Sequence, residues 1–335
     1  MPPNSRPPWA PYRQPDRCRI VRTQNPFAKI KLMSKIAFLF PGQGAQFVGM
    51  GRALYDEVPS ARSLFDRACQ VLGFDLKAVC FDGPPEALES TDVSQPAIYV
   101  TSLAALEGLK ITHPEVVSAC EGSAGLSLGE YTALAFAGSL DFETGLKIVR
   151  RRGEVMQAAA KATPSGMTSI IGLDEEKVDE LCRRVAPQGR LWKANMLGPG
   201  NIVVSGESSA LGQVEAIASE MGAGRVVSLA VAGAFHCPLM HPADEQLAEV
   251  LASADLRPPR IPVYSNVDAL AHQSPKDLRE TLVAQVIQGV RWDDSMRRMM
   301  TDGFDTFYEM GPGRVLTGLM KRIDRKVPCT NVPAR

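Results

Sequence analysis

The sequence lacks an excess of charge of either sign, because its 335 residues include 37 basic and 37 acidic side chains. This balance does not favour nucleic acid or a membrane surface as a partner. No apolar run approaches the roughly 20 residues that a membrane-spanning helix needs. Seven cysteines are scattered without C-x-x-C spacing, which argues against a metal site or a disulfide framework and favours a reducing compartment. We therefore expect no nucleic acid, membrane or metal among the partners.

The first 34 residues differ from the rest, being rich in proline and arginine with Asp16 as their one acid. They lack the periodicity on which a core is built, so we expect a disordered or targeting extension outside the fold. A transit peptide over residues 1–32 would place the protein in a plastid or mitochondrion. An upstream extension or a misplaced start, with Met33 as the natural first residue, would leave it in the cytoplasm.

The stretch Gly125-Leu126-Ser127-Leu128-Gly129 has the pattern G-x-S-x-G. This pattern is typical of a nucleophile elbow, where a strand turns sharply into a helix and projects the serine above the sheet. The small and apolar residues of Val116–Ala124 predict the strand, and Glu130–Ala137 predicts the helix. Alone, the five residues do not decide between an elbow and a plain glycine-rich turn with a surface serine.

Before the elbow, the apolar run Lys35–Phe40 predicts a strand buried on both faces. The loop Pro41–Gln46 follows it, but the dinucleotide-binding pattern would need glycine at Phe47. The sequence instead favours a tight loop that presents backbone N–H groups and the Gln43 side chain at the sheet edge where the elbow serine emerges.

After the elbow, Phe142–Ala160 predicts a long helix on which Arg152 lies beside Val149 and Met156 of an apolar face. A lone cation on such a face is costly unless it is paired. Arg152 therefore has either a buried structural partner or an anionic ligand, and the sequence does not choose between them.

Residues 165–229 predict the order β-α-β-β-α-β of a ferredoxin-like unit. The sequence thus predicts an α/β fold: an α/β-hydrolase-like large domain with a mostly parallel sheet, over residues 35–163 and 231–325, and an inserted ferredoxin-like small domain over residues 164–230.

A nucleophilic serine needs a base, and the chain has four histidines. His236 is favoured over His241, because it follows the apolar run Val231–Phe235 and would stand at the end of a strand returning to the main sheet. The alternative is a histidine that merely packs in the core. No obvious aspartate follows to complete a triad, so a dyad oriented by a backbone carbonyl or an amide is the simplest mechanism.

Seven ordered motifs closely resemble the malonyl-CoA:acyl carrier protein transacylase family over about residues 35–325. They are PGQGAQ, GLSLGEY, RRRGEVMQ, NMLGPGNIVVSG, AGAFH, IPVYSNVDA and YEMGPGRVLTGL. The resemblance implies transfer of malonyl from malonyl-CoA to holo-acyl carrier protein, supplying extender units for fatty acid biosynthesis. Both substrates carry phosphopantetheine, so we expect no cofactor, and we expect a monomer.

The resemblance also implies roles for single residues. Ser127 would carry the acyl group, with His236 as its base. Gln43 and the backbone N–H of Leu128 would form the oxyanion hole, and Arg152 would pair with the malonyl carboxylate.

Further residues would shape the pocket. Gln285 and Asn195 would support the site by the same resemblance, and the bulk of Phe235 beside the base would crowd the carbon next to the thioester carbonyl. The chain departs from many bacterial members at Leu126, where they have histidine. Two other functions stay open from the sequence: a serine thioesterase or esterase, and a non-catalytic module that binds carrier proteins.

Overall fold

A computed structural model describes residues 34–334 of the protein. The predicted N-terminal extension lies outside the described residues, apart from Ser34. Within the described range the chain forms ten strands: β1 (Ile36–Phe40), β2 (Cys120–Gly125), β3 (Ser165–Ile171), β4 (Leu191–Gly198), β5 (Asn201–Glu207), β6 (Arg225–Ser228), β7 (Val263–Tyr264), β8 (Ala271–His272), β9 (Thr306–Gly311) and β10 (Cys329–Pro333).

The same range contains the helices α1 (Arg52–Glu57), α2 (Pro59–Leu72), α3 (Leu76–Asp82), α4 (Pro85–Glu89), α5 (Thr91–Thr112), α6 (Pro114–Ser118), α7 (Leu128–Phe136), α8 (Phe142–Ala162), α9 (Glu175–Val185), α10 (Ser208–Glu220), α11 (Ala243–Ser253), α12 (Pro275–Ile287), α13 (Trp292–Thr301) and α14 (Val315–Ile323). Asp141 caps α8 by accepting a hydrogen bond from the N–H of Thr144. Among the described helices, none has the length and apolar character needed to cross a membrane.

The larger sheet has six strands in the order β10-β9-β1-β2-β7-β8. All its pairings are parallel except that of β7 with β8, so the predicted mostly parallel sheet is confirmed. All five residues of β1 are buried, as expected of a central strand with helices on both faces. The loops after β1, β2 and β7 leave from the same edge, because these strands run in the same direction.

The smaller sheet is antiparallel, with four strands in the order β4-β5-β3-β6. Helices α9 and α10 pack on it around a separate apolar cluster that includes Ile170, Leu181 and Val214. The element order from β3 to β6 is the predicted β-α-β-β-α-β. The domain boundaries at residues 164 and 230 stay a prediction.

One element prediction near the elbow was wrong. Residues 116–118, predicted as strand, belong to helix α6, which begins with Pro114 at its first position, where a missing N–H costs nothing. The fold also continues beyond the predicted end at residue 325, since β10 pairs in parallel with β9 at the sheet edge.

Candidate active site

The turn at Ser127 has the geometry of a nucleophile elbow. Ser127 has φ 51° and ψ −104°, a backbone conformation that side-chain-bearing residues rarely adopt. The flanking glycines are required by close packing: a Cβ on Gly125 would lie 1.8 Å from the carbonyl carbon of Gly129, and one on Gly129 would lie 2.0 Å from the carbonyl oxygen of Phe40. The elbow is thus built by contacts that only glycine permits, and the sequence-based alternative of a plain surface turn does not describe it.

The strand predicted before His236 is absent, since residues 229–235 form a loop. Side-chain hydroxyls satisfy this loop's backbone in place of a strand ladder: Ser165 Oγ accepts from the N–H of Ala234, and Ser205 Oγ donates to the carbonyl of Phe235. Ala234 and Phe235 at the end of the apolar run are buried, whereas Val231 is half-buried and Ala232 is exposed. His236 itself has φ 58°.

His236 lies in hydrogen-bonding contact with the serine. Its Nε2 is 2.8 Å from Ser127 Oγ, and its Nδ1 is 2.7 Å from the carbonyl oxygen of Gln285. A carbonyl only accepts, so the proton of a neutral ring is on Nδ1 and Nε2 is left to accept from the serine hydroxyl. The geometry is that of the predicted dyad, with the His236 ring oriented by a backbone carbonyl. The catalytic roles of the two residues stay a prediction. The other candidate, His241, pairs instead with Asp244 at 2.9 Å.

Burial lowers the pKa of His236 from 6.5 to about 4, and the nearby charge of Arg152 acts in the same direction. We expect its ring resonances to stay unshifted between about pH 5.5 and 8 in an NMR titration. The His236 ring binds a proton more readily in the unfolded chain than in the folded protein. Its protonation therefore lowers the free energy of unfolding as the pH falls from 6.5 to about 4. A midpoint above pH 6 would contradict the buried, neutral base.

Arg152 is buried, with 1% of its surface exposed. Its Nη1 donates to Gln95 Oε1 at 2.8 Å, and its Nη2 donates to Gln285 Oε1 at 2.9 Å and to Ser127 Oγ at 3.0 Å. These acceptors are all neutral. Among residues 34–334, the buried cation therefore lies against the nucleophile without an anion in direct contact, which favours the anionic ligand over the structural partner that the sequence left open.

Behind the serine lies a polar network that the sequence prediction missed. Asn266 Oδ1 accepts from the N–H of Ser127 at 2.6 Å, and Asn266 Nδ2 donates to the carbonyl of Gly125 at 2.8 Å. Glu130 and Gln95 complete the set of unpredicted residues, and each is 1% exposed. Asn266 could have been found, because it follows β7 at the sheet edge where the elbow emerges.

A cavity of about 400 Å³ opens over Ser127 and His236. The remaining predicted site residues line it together: Gln43, Leu128, Asn195 and Phe235. Leu128 is the first residue of α7, so its backbone N–H has no hydrogen-bond partner within that helix and can donate to an oxyanion. Gln43 is half-buried on the loop after β1. Gln285 does not line the cavity but is bonded to residues that do.

The site therefore combines a hydroxyl nucleophile, a neutral base, free N–H donors and a buried cation. The first three are the parts that acyl transfer requires. The cation adds a place for a negatively charged acyl group.

Comparison with known proteins points to the same reaction, acyl transfer. The acyl transferase domain family matches residues 37–332. The chain is 43% identical over 296 residues to a malonyl CoA-acyl carrier protein transacylase of Bacillus subtilis, covering 88% of this chain and 92% of the relative. A human relative, described as a mitochondrial malonyl-CoA-acyl carrier protein transacylase, is 40% identical, covering 84% of this chain and 75% of its own length.

Solved structures agree with the sequence relatives. An acyl-carrier-protein-S-malonyltransferase of Bartonella henselae superposes with a TM-score of 0.86 at 36% identity, covering 89% of this chain and 95% of that one. A match of this extent in sequence and in structure shows family membership. The chain belongs to the malonyl-CoA:acyl carrier protein transacylases of the acyl transferase domain family.

Proposed function

We propose that this protein moves malonyl from coenzyme A to the phosphopantetheine thiol of an acyl carrier protein through a malonyl ester on Ser127. The observation that carries the proposal is the contact of Ser127 Oγ with both His236 Nε2, at 2.8 Å, and Arg152 Nη2, at 3.0 Å. A base and a carboxylate-binding cation on the same nucleophile suit an acyl group that itself bears a carboxylate.

In the first half-reaction, Ser127 Oγ attacks the thioester carbonyl and its proton passes to His236 Nε2. The N–H of Leu128 and the side-chain amide of Gln43 donate to the oxyanion, and each such donor is worth about 2.7–4 kcal/mol in known enzymes. The tetrahedral intermediate collapses by breaking the carbon–sulfur bond. The coenzyme A thiolate takes the proton from His236, leaving malonyl on Ser127.

The second half-reaction reverses these steps with a new thiol. The carrier-protein thiol gives its proton to His236 and attacks the malonyl ester, and the serine oxygen leaves and recovers the proton. His236 acts as base and then acid in each half, which a ring held by the Gln285 carbonyl can do without reorientation. Both thiols belong to substrates, so the reaction needs no further cofactor.

The competing function is a serine thioesterase, which would use the same elbow and histidine. Hydrolysis of malonyl-CoA without an acceptor does not separate the two. We expect malonyl to reach added holo-carrier protein much faster than it appears as free malonate, measured by intact mass of both proteins and by malonate release. Equal rates would favour the thioesterase, and labelling of Ser127 would exclude a non-catalytic binding module.

Phe235 is 4% exposed and lines the cavity beside the base. Its ring leaves little room for a methyl group on the carbon next to the thioester carbonyl, so we expect malonyl-CoA to react faster than methylmalonyl-CoA. The two rates of acylation should be compared at matched concentrations. Equal rates would mean that Phe235 only packs in the core.

We propose the fatty acid pathway as the consumer of the product, a monomer as the working form and the cytoplasm as the location, with a plastid or mitochondrion as the alternative if residues 1–32 are a transit peptide. The mitochondrial relative supports the alternative. Localisation of the full chain and of a chain that begins at Met33, each tagged at its C-terminus, would separate these locations.

A further inference from the structure

Glu130 lies three residues after the nucleophile and is 1% exposed. Its Oε2 accepts hydrogen bonds from Gln285 Nε2 at 2.7 Å and from the backbone N–H of Asn266 at 3.0 Å. Both donors are neutral, so within the part of the chain that the structure describes the carboxylate, like Arg152, is buried without an opposite charge in direct contact. Burial of this kind is costly, and the mechanism derived above does not use Glu130.

The Gln285 amide bridges the two buried charges. Its Nε2 faces Glu130, while its Oε1 accepts from Arg152 Nη2 at 2.9 Å. An ionised carboxylate only accepts and a guanidinium only donates, so the amide has one orientation that satisfies both. The carboxylate of Glu130 thus determines which end of the amide faces Arg152.

The same carboxylate connects the segments that hold the dyad. Gln285 offers its backbone carbonyl to His236 Nδ1 at 2.7 Å, and its Nε2 also reaches the carbonyl of Ser127 at 3.2 Å. Asn266, held through its N–H, accepts from the N–H of Ser127. Glu130 therefore lies behind the elbow and joins α7, α12 and the segment after β7 without lining the cavity.

We propose that Glu130 is a positioning residue for malonyl transfer, an inference that rests on the proposed function. Its carboxylate fixes the orientation of the Gln285 amide, and the amide in turn holds Arg152 and His236 for reaction at Ser127. Both bonds reach one oxygen, Oε2, so a glutamine whose own oxygen takes that place would keep them. A methionine has nearly the same shape and no such acceptor. It would leave the Gln285 N–H2 group without its partner and free the amide to turn, which sets that N–H2 group against Arg152.

The test compares Glu130→Met with Glu121→Met, the same change at an exposed position on β2. We expect Glu130→Met to stay folded and to lose about 100-fold in the rate of Ser127 acylation by malonyl-CoA, mostly in kcat. Glu121→Met should match the wild type. Acylation by Glu130→Met at the wild-type rate would overturn the proposal, whereas a wild type that takes up no malonyl would overturn the proposed function instead.

Glu130→Gln separates positioning from simple structural support, because it removes the charge and keeps an acceptor for Gln285 and Asn266. We expect this variant to acylate Ser127 at least about tenfold faster than Glu130→Met. A folded Glu130→Gln that acylates no faster than Glu130→Met would overturn the positioning role.

Discussion

Replacing Arg152 by alanine is expected to cut malonyl transfer about 100-fold or more, roughly 3 kcal/mol for a lost buried charge pair. Acetyl-CoA lacks the free carboxylate, so acetyl transfer should fall little or even rise. The reason is that the guanidinium, bonded only to neutral acceptors, gains its anionic partner from the substrate. Acylation rates with both acyl-CoA substrates, together with the melting temperature, check this result.

Arg151→Ala is the matched control, because Arg151 is the preceding residue of α8 and its exposed side chain donates to Glu154 and Gln246. It should leave both acylation rates unchanged. A structural role for Arg152 predicts something else, namely equal loss with both substrates and a lowered melting temperature. A collapse of all three quantities would refute discrimination by charge.

Ser127→Ala is expected to have the largest effect of any substitution, since no acyl ester can form at this position. In enzymes with a serine nucleophile, its loss costs about 10⁶-fold in kcat. Fold and melting temperature should change little, because among the described residues the serine hydroxyl forms hydrogen bonds only with His236 and Arg152. Transfer to holo-carrier protein, followed by intact mass, measures the residual rate.

Cys237 directly follows His236 and is the other side chain near the base that could act as a nucleophile, so its substitution is the control. Its thiol is buried and lies 3.4 Å from the carbonyl of Ala234, to which it donates, and burial raises its pKa to about 11. Cys237→Ala should therefore acylate like the wild type. Loss of acylation in this variant, with Ser127 intact, would move the covalent step to the thiol.

Local patterns indicated where Ser127 and Arg152 lie in the fold, whereas their roles were implied by the family resemblance. The G-x-S-x-G spacing indicates the elbow because the two glycines are imposed by backbone contacts within a few residues. The 3.6-residue period of α8 placed Arg152 on the buried face, where it is found. The alternation of elements over residues 165–229 likewise indicated the smaller sheet.

The features that could not be predicted from the sequence depend on contacts between segments that are far apart in the chain. The apolar run before His236 resembles a strand, but hydroxyls of Ser165 and Ser205 take the place of a neighbouring strand. The atom that orients His236 is a backbone carbonyl, on Gln285, and a backbone atom leaves no residue type to recognise. Glu130 has no local sign of burial, since its partners lie 136 and 155 residues away.

The most direct test of the central claim is the mass of the peptide that contains Ser127 after incubation of the wild-type protein with malonyl-CoA alone. The account predicts the gain of one malonyl group on that serine, its absence in Ser127→Ala, and its loss from the wild-type peptide once holo-carrier protein is added. No gain in the wild type, or a gain that persists in Ser127→Ala, would contradict a malonyl ester on Ser127.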